Sequence, residues 1–187
     1  MVIHDTLLVG VKIIEPVVFA DGRGYFFENY SYARYSEAGI ADVFVQDNHS
    51  CSRVKGTLRG LHFQLSPKAQ VKLIRCTGGA MLDVVVDIRL GSPTFGKWES
   101  FELSADNFKQ IYIPKGYAHG FLALTDDVEV QYKASEYYAP EYDRSIRWDD
   151  PQIGIAWGVG NPILSEKDRT APLLSGSDNN FRWGHGV

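Results

Sequence analysis

Two histidines offer the clearest chemistry in this sequence. His62 lies in residues 56–64 (GTLRGLHFQ), between two segments of alternating apolar residues, and His119 follows a turn that contains proline and glycine. Neutral imidazole is the commonest metal ligand in proteins, so a metal site is the first hypothesis. Gln64 occupies the position where a second ligand on the same strand face would stand, and the next strand brings the cation Lys72. We therefore predict that this site holds no metal.

Without a metal, the same region is cationic. Arg59 and Lys72 flank the histidines if the strands pair as their alternation indicates, and Arg23, in an earlier turn, is a third candidate. The guanidinium group of arginine presents a planar fork of donors that suits bidentate binding of phosphate. The net charge of the chain is -4, which gives no support to a nucleic-acid surface. These cations therefore predict a local site for an anionic small molecule.

The region also contains groups that can transfer protons. A histidine gains basicity and a fixed tautomer when a carboxylate accepts its second N–H, and a nearby acid must deliver a proton. Asp83, Asp87 and Asp168 are candidate partners, and their spacing does not choose among them. Tyr132, in an alternating strand, is one of 10 tyrosines, most of which must serve in packing. The pattern alone therefore leaves both the orienting carboxylate and the acid open.

Short strands must position these groups. In a regular strand over residues 56–64, Arg59 would point away from His62 unless a bulge intervenes. Residues 114–120 are predicted to form a loop that leads into a strand at residues 121–124. The other predicted strands span residues 9–15, 25–28, 44–50, 70–76, 81–88, 98–103, 109–113 and 128–134.

Helices are few in this reading of the chain. Residues 31–39 have helical spacing, with Ser31 as the N-cap and Gly39 as the end, and a short helix is predicted after Ser165. Many short strands with turn residues between them indicate a sandwich or barrel, of which a jelly roll leaves a mouth for ligand. We predict one all-β jelly-roll domain over residues 1–187, with a few short peripheral helices.

The composition supports a folded domain, and the cysteines and apolar runs indicate the cellular compartment. The chain is 44% hydrophobic and 13% aromatic, which is too apolar for a disordered protein. Cys51 and Cys76 stand in no metal-like spacing and are expected to be reduced thiols. There is no signal segment and no apolar run long enough to span a membrane. We expect a cytoplasmic protein that binds neither membranes nor nucleic acid.

Six motifs, in this order along the chain, resemble those of the dTDP-4-dehydrorhamnose 3,5-epimerase family, a branch of the cupin jelly rolls. The likeness extends from about residue 10 to residue 174. The motifs are residues 44–50 (FVQDNHS), 58–64 (LRGLHFQ), 92–96 (SPTFG), 113–121 (IPKGYAHGF), 132–133 (YK) and 164–168 (LSEKD).

The resemblance implies an isomerase with a cupin fold, a double-stranded β-helix, that works as a homodimer without a metal or cofactor. Its substrate would be a nucleotide-linked 4-keto-6-deoxyhexose, dTDP-4-dehydro-6-deoxy-D-glucose, inverted at C3 and C5 through an enolate to dTDP-4-dehydro-L-rhamnose. Two enzymatic alternatives remain: inversion at C3 only, and action on another 4-keto sugar nucleotide such as a GDP-linked heptose. A sugar-nucleotide-binding cupin without activity is disfavoured because every acid–base residue is present.

The resemblance also implies residue roles. His62 would be the base, Asp168 its partner, Tyr132 the proton donor on the opposite face, and Lys72 the cation beside the enolate oxygen. Asp143 stands where some relatives have glutamate, and one extra residue lies in the segment before the catalytic strand. A role for Arg59 beside the base implies a bend or bulge in its strand. The implied ligand contacts are Arg23, Glu28, Gln46, Asn48, Arg59, His119, Tyr138, Asp143 and Lys167, with Arg23 and Arg59 on the phosphate side and Tyr138 stacked on the nucleotide base.

Overall fold

The computed structural model describes residues 1–184 and consists mainly of β-strands. Two short α-helices, α1 (Tyr32–Glu37) and α2 (Glu166–Arg169), and two 3-10 turns, Pro140–Tyr142 and Leu174–Gly176, lie between or after them. The strands are β1 (Val2–Asp5), β2 (Lys12–Glu15), β3 (Phe19–Asp21), β4 (Gly24–Phe26), β5 (Gln46–Ser52), β6 (Leu58–Gln64), β7 (Lys72–Gly78), β8 (Ala80–Asp87), β9 (Trp98–Ser104), β10 (Gln110–Ile113), β11 (Tyr117–Ala123), β12 (Val128–Ala134) and β13 (Asp143–Ser145).

Two antiparallel sheets face each other around an apolar core. One has six strands in the order β1-β2-β10-β7-β12-β5, and the other has five in the order β13-β6-β11-β8-β9. Side chains from both sheets meet in the core between them, which includes Ile74 and Val130 from the first sheet and Val85 and Phe121 from the second. Removal of this apolar surface from water is the main force that holds the sheets together. This arrangement confirms the predicted all-β sandwich.

Further apolar clusters cover the outer faces of both sheets. Tyr35 of α1 and the adjacent Ile40 pack on the outer face of the six-stranded sheet. The chain after β13 crosses the outer face of the five-stranded sheet, where Ile146, Trp157 and Phe181 are buried. The C-terminal region, which has few strands, is therefore integral to the packing and carries α2 to the rim of the sandwich.

Strands β3 and β4 form a hairpin that pairs with neither large sheet. It presents aromatic side chains to solvent: Phe19 is 64% exposed and Phe26 is 71% exposed. A contiguous apolar patch on the surface of a monomer marks a candidate interaction surface. Within residues 1–184, no helix has the length and apolar character that would allow it to cross a membrane.

The strongest local patterns were confirmed by the structure. The predicted strand 128–134 is β12, and the helix predicted at 31–39 is α1, preceded by Ser31 and followed by Gly39 with a φ of +86°. The predicted loop at 114–120 is wrong in its second half, because β11 already begins at Tyr117 and His119 therefore lies on a strand. Strands β1, β3 and β13, each of four residues or fewer, were not predicted.

Candidate active site

A cavity of about 410 Å³ opens between the two sheets. The six-stranded sheet supplies one wall, the five-stranded sheet the facing wall, and the segment that runs into α2 closes one side. A cavity of this size fits a small organic molecule. Its lining residues are Ser50, Thr57, Leu58, Arg59, His62, Lys72, Ile74, His119, Phe121, Val130, Tyr132, Ile163, Leu164, Ser165, Lys167 and Asp168.

A bulge in β6 places Arg59 and His62 on the same wall of the cavity. His62 is opposite His119, and Arg59 is opposite Phe121, so three steps along β6 correspond to two along β11. The extra residue shifts the alternation of β6. Both Arg59 and His62 therefore line the cavity, which confirms the predicted bend in this strand.

Two glycines allow the strands to approach closely at the bulge. A Cβ on Gly60 would lie 2.6 Å from the Cα of Gly120, and a Cβ on Gly120 would lie 2.8 Å from the carbonyl oxygen of Arg59. Gly60 also has a φ of +122°, a backbone conformation that residues other than glycine rarely adopt. Gly120 is therefore required for close packing of the two strands beside both histidines.

His62 is paired with Asp168 from the far end of the chain. Its Nε2 lies 2.5 Å from Oδ1 of Asp168, which is only 2% exposed. Ser165 fixes this carboxylate, because its Oγ accepts the backbone N–H of Asp168 at 3.1 Å and donates to Oδ2 at 2.8 Å. Ser165 thus caps α2 and orients Asp168 at the same time. Ser165 was not among the predicted site residues, although a serine three residues before an acidic residue is a capping signal.

The charge on Asp168 determines which atom of His62 is available as a base. Burial by itself raises the pKa of Asp168, but the hydrogen bonds from His62, Ser165 and the backbone of Gly60 outweigh it, and the pKa lies below its usual value. The carboxylate is therefore ionised near neutral pH and can only accept hydrogen bonds. A neutral His62 consequently donates its Nε2–H to Asp168, which leaves Nδ1 as the proton acceptor.

The other two candidate carboxylates have different partners. Asp83 is fully buried, and its Oδ2 lies 2.7 Å from Nε2 of His119. Asp87 accepts two hydrogen bonds from the side chain of Arg89, at 2.9 and 2.7 Å, and others from serine and threonine hydroxyls of the 92–96 motif. Asp87 therefore serves the packing of the sheet, and each cavity histidine has its own carboxylate. Among residues 1–184, no three His, Cys, Asp or Glu side chains come together as a potential metal-binding group.

Tyr132 and Lys72 lie on the wall that faces His62. They belong to adjacent strands, β12 and β7, and the Nζ of Lys72 is 5.9 Å from the centre of the Tyr132 ring. Burial raises the pKa of Tyr132, and the charge of Asp143 raises it further, so the phenol keeps its proton at neutral pH. Removal from water lowers the pKa of Lys72 to about 8, against the opposing charges of Asp143 and Asp83.

Seven of the nine predicted ligand contacts fall into three groups. Arg59, His119 and Lys167 line the cavity itself. Next to it, Tyr138 donates to Asp143, and Asp143 accepts from Lys167. Gln46 and Asn48 follow along β5: the Gln46 amide donates to Asn48 at 3.0 Å and accepts from the backbone N–H of Tyr138, and Asn48 is the direct cross-strand neighbour of Tyr132.

Arg23 and Glu28 are not brought to the cavity of their own chain. Arg23, in the β3–β4 hairpin, forms its hydrogen bonds with Asp21, and its side chain is 91% exposed. Glu28 is paired with Arg34 at 3.4 Å. Neither residue is among those that line the space between the sheets.

The fold and this cavity define a class: a cupin-type jelly roll with a histidine–carboxylate pair and a tyrosine on facing walls. The chain belongs to the dTDP-4-dehydrorhamnose 3,5-epimerase family of isomerases, whose sequence profile matches residues 5–176. It is 51% identical over 176 residues to the dTDP-4-dehydrorhamnose 3,5-epimerase of Salmonella typhimurium, a match that covers 93% of this chain and 96% of that one.

Solved structures show the same similarity in three dimensions. The 3,5-epimerase of Legionella pneumophila in complex with dTDP-4-keto-L-rhamnose has a TM-score of 0.90, 49% identity, and coverage of 94% of both chains. A 3'-monoepimerase of Streptomyces bikiniensis in complex with dTDP-quinovose has a TM-score of 0.87 and 38% identity, and the match covers 92% of this chain and 87% of that one. The fold alone therefore does not distinguish double from single epimerisation.

Lys72 is expected to titrate well below other lysines. Its pKa of about 8 follows from its removal from water, so its signal should move near pH 8 in a ¹³C NMR titration of lysine-labelled protein. The Lys72→Met protein identifies the signal by its loss, and the solvent-exposed Lys97 provides the internal reference. A Lys72 signal that titrates together with the exposed lysines would contradict the electrostatic description of the cavity.

Proposed function

We propose that the protein inverts C3 and C5 of dTDP-4-dehydro-6-deoxy-D-glucose, with His62 as the base and Tyr132 as the acid. The observation that carries this proposal is the position of the two groups. His62, held by Asp168, and Tyr132 lie on opposite walls of one cavity, so a sugar ring between them is accessible to a base on one face and an acid on the other. Membership of the epimerase family supports the same reaction.

The reaction proceeds by proton transfer beside a ketone. The C4 carbonyl acidifies the hydrogens on C3 and C5, and Nδ1 of His62 removes one of them as the C–H electrons form an enolate. Negative charge then develops on the C4 oxygen, where the ammonium group of Lys72 stabilises it. Tyr132 donates its phenolic proton to the opposite face of the same carbon. Exchange with solvent then resets the site: His62 releases the proton that it took, and Tyr132 regains the one that it gave. The same sequence at the second carbon completes the double inversion.

The nucleotide diphosphate is bound by cations at the cavity rim. The guanidinium of Arg59 is oriented by Oγ of Ser52 and the carbonyl oxygen of Cys51, both at 3.0 Å, and it faces the same cavity as Lys167. An arginine fixed in this way can bind a phosphate with little further loss of conformational freedom. Tyr138, 57% exposed next to the cavity, is available to stack on the nucleotide base.

The β3–β4 hairpin acts in the neighbouring subunit of a homodimer. Its aromatic side chains are exposed, and Arg23 projects from it without reaching the cavity of its own chain. In a two-fold dimer, each hairpin can extend to the partner's cavity and deliver Arg23 and Glu28 there. This arrangement accounts for both the exposed aromatic groups and the distance of the two predicted contacts from the site.

Solvent exchange tests the reaction directly. In D₂O, with a chelator and no added metal, the protein should incorporate deuterium at C3 and C5 of dTDP-4-dehydro-6-deoxy-D-glucose, as followed by ¹H NMR. A panel of other 4-keto sugar nucleotides, including a GDP-linked heptose, tests the substrate class. Folded protein that exchanges neither carbon would contradict the proposal, and exchange at C3 alone would identify a monoepimerase.

Hybrid dimers test whether the hairpin acts in the partner subunit. When His62→Ala and Arg23→Ala chains are co-expressed with different tags, one site of the isolated hybrid contains both native residues. Its activity at substrate concentrations below KM should be about half that of the wild type and exceed both parents. A hybrid of His62→Ala with Lys72→Met is the matched control, because both its sites are defective. Hybrid activity no greater than that of the Arg23→Ala parent would contradict the arrangement.

A further inference from the structure

Asp143 connects three elements at the edge of the active-site cavity. It begins β13 and lies opposite Gln64 in the register with β6. A single oxygen, Oδ2, accepts the Nζ of Lys167 on α2 at 2.5 Å and the hydroxyl of Tyr138 at 3.3 Å. The Asp143 side chain is 17% exposed, whereas that of Lys167 is 47% exposed. The carboxylate therefore lies beneath the two residues that it holds.

We propose that Asp143 is a positioning residue rather than a direct ligand contact. It fixes Lys167 and Tyr138 at the nucleotide end of the cavity, and its negative charge acts on Lys72 and Lys167, two cations that line the cavity. The identity of the ligand rests on the proposed function. The geometry of Asp143 does not depend on it.

The hydrogen bonds of Asp143 argue against direct contact with the ligand. Its Oδ2 is already shared by Lys167 and Tyr138, and a second carboxylate oxygen facing a diphosphate would repel it. Lys167 has donors to spare, because an ammonium group has three N–H bonds and only one is used here. Lys167 can therefore keep its bond to Asp143 and still donate to a phosphate.

The position of Lys167 links the nucleotide end to the acid–base pair. Lys167 immediately precedes Asp168 on α2, a helix of four residues. A bond that fixes Lys167 thus also restrains the turn that presents Asp168 to His62. The aspartate side chain is long enough to reach both Lys167 and Tyr138 from β13.

The charge of Asp143 also acts across the cavity. After removal from water, which lowers the pKa of Lys72, the charge of Asp143 is the largest opposing influence, followed by that of Asp83, whereas the charge of Lys167 lowers this pKa further. Asp143 and Lys167 therefore affect Lys72 in opposite directions. The titratable and charged groups that share this space with Lys72 are Arg59, His62, Asp83, His119, Tyr132, Asp143, Lys167 and Asp168.

The titration of Lys72 tests the electrostatic half of the proposal without any substrate. In the full-length protein, Asp143→Asn should move the Lys72 transition to lower pH, and Lys167→Met should move it to higher pH, both followed by ¹³C NMR. Asp178→Asn is the matched control, because Asp178 pairs with Arg144 on the same side of the molecule and should leave Lys72 unchanged. Shifts in the same direction, or no shift in Asp143→Asn, would overturn the proposal.

Steady-state kinetics test the positioning half. Asp143→Asn is expected to raise KM about five- to tenfold, as for loss of a partly exposed charged hydrogen bond, with a smaller change in kcat. In a Lys167→Met/Tyr138→Phe background, the same substitution should change KM by less than about twofold, because both partners of Asp143 are gone. Independent, multiplicative effects would show that Asp143 contacts the ligand itself. Absence of wild-type turnover would contradict the proposed function only. In that case the Lys72 titration decides the electrostatic role of Asp143, and the affinity of the same variants for dTDP, measured by calorimetry, decides its positioning role.

Discussion

The hydrogen bond between His62 and Asp168 joins residues that are 106 positions apart, and much of the structure is needed to form it. On one side, the bulge at Gly60 turns His62 toward the cavity together with Arg59. On the other side, the chain after β13 packs across the outer face of the five-stranded sheet before α2 returns to the rim, where Ser165 fixes the carboxylate. The pair therefore depends on the packing of both halves of the chain.

The separation of the two sheets determines the stereochemistry that the site can support. A base and an acid on one wall could only remove and return a proton on the same face of a sugar. Here His62 belongs to the five-stranded sheet and Tyr132 to the six-stranded sheet, which is the placement that the proposed inversion requires. Lys72 lies beside Tyr132, and its partial desolvation makes its charge more effective at a developing oxyanion, since the local dielectric is low.

The sequence correctly predicted the strands and helices whose signals lie within the element itself. Strand 128–134 alternates regularly, and helix 31–39 has residues typical of both ends. The loop predicted at residues 114–120 was wrong in its second half, because the turn marked by Pro114 and Gly116 was extended to residue 120, whereas β11 already begins at Tyr117. The partner of each of the three aspartates depends on strand order and on the path of the C-terminal segment. Spacing along the sequence therefore could not show which aspartate pairs with His62. Likeness to the family selected Asp168, and the structure brings it to His62.

The central claim is that His62 removes the substrate proton and Tyr132 returns one from the opposite face. The most direct measurement is ¹H NMR of deuterium incorporation and product configuration in D₂O with His62→Asn and Tyr132→Phe proteins that retain the native circular dichroism spectrum. His62→Asn should reduce exchange at both carbons by about 10² to 10⁴, whereas Tyr132→Phe should retain exchange but lose inversion. Wild-type exchange rates in the His62→Asn protein would contradict the account.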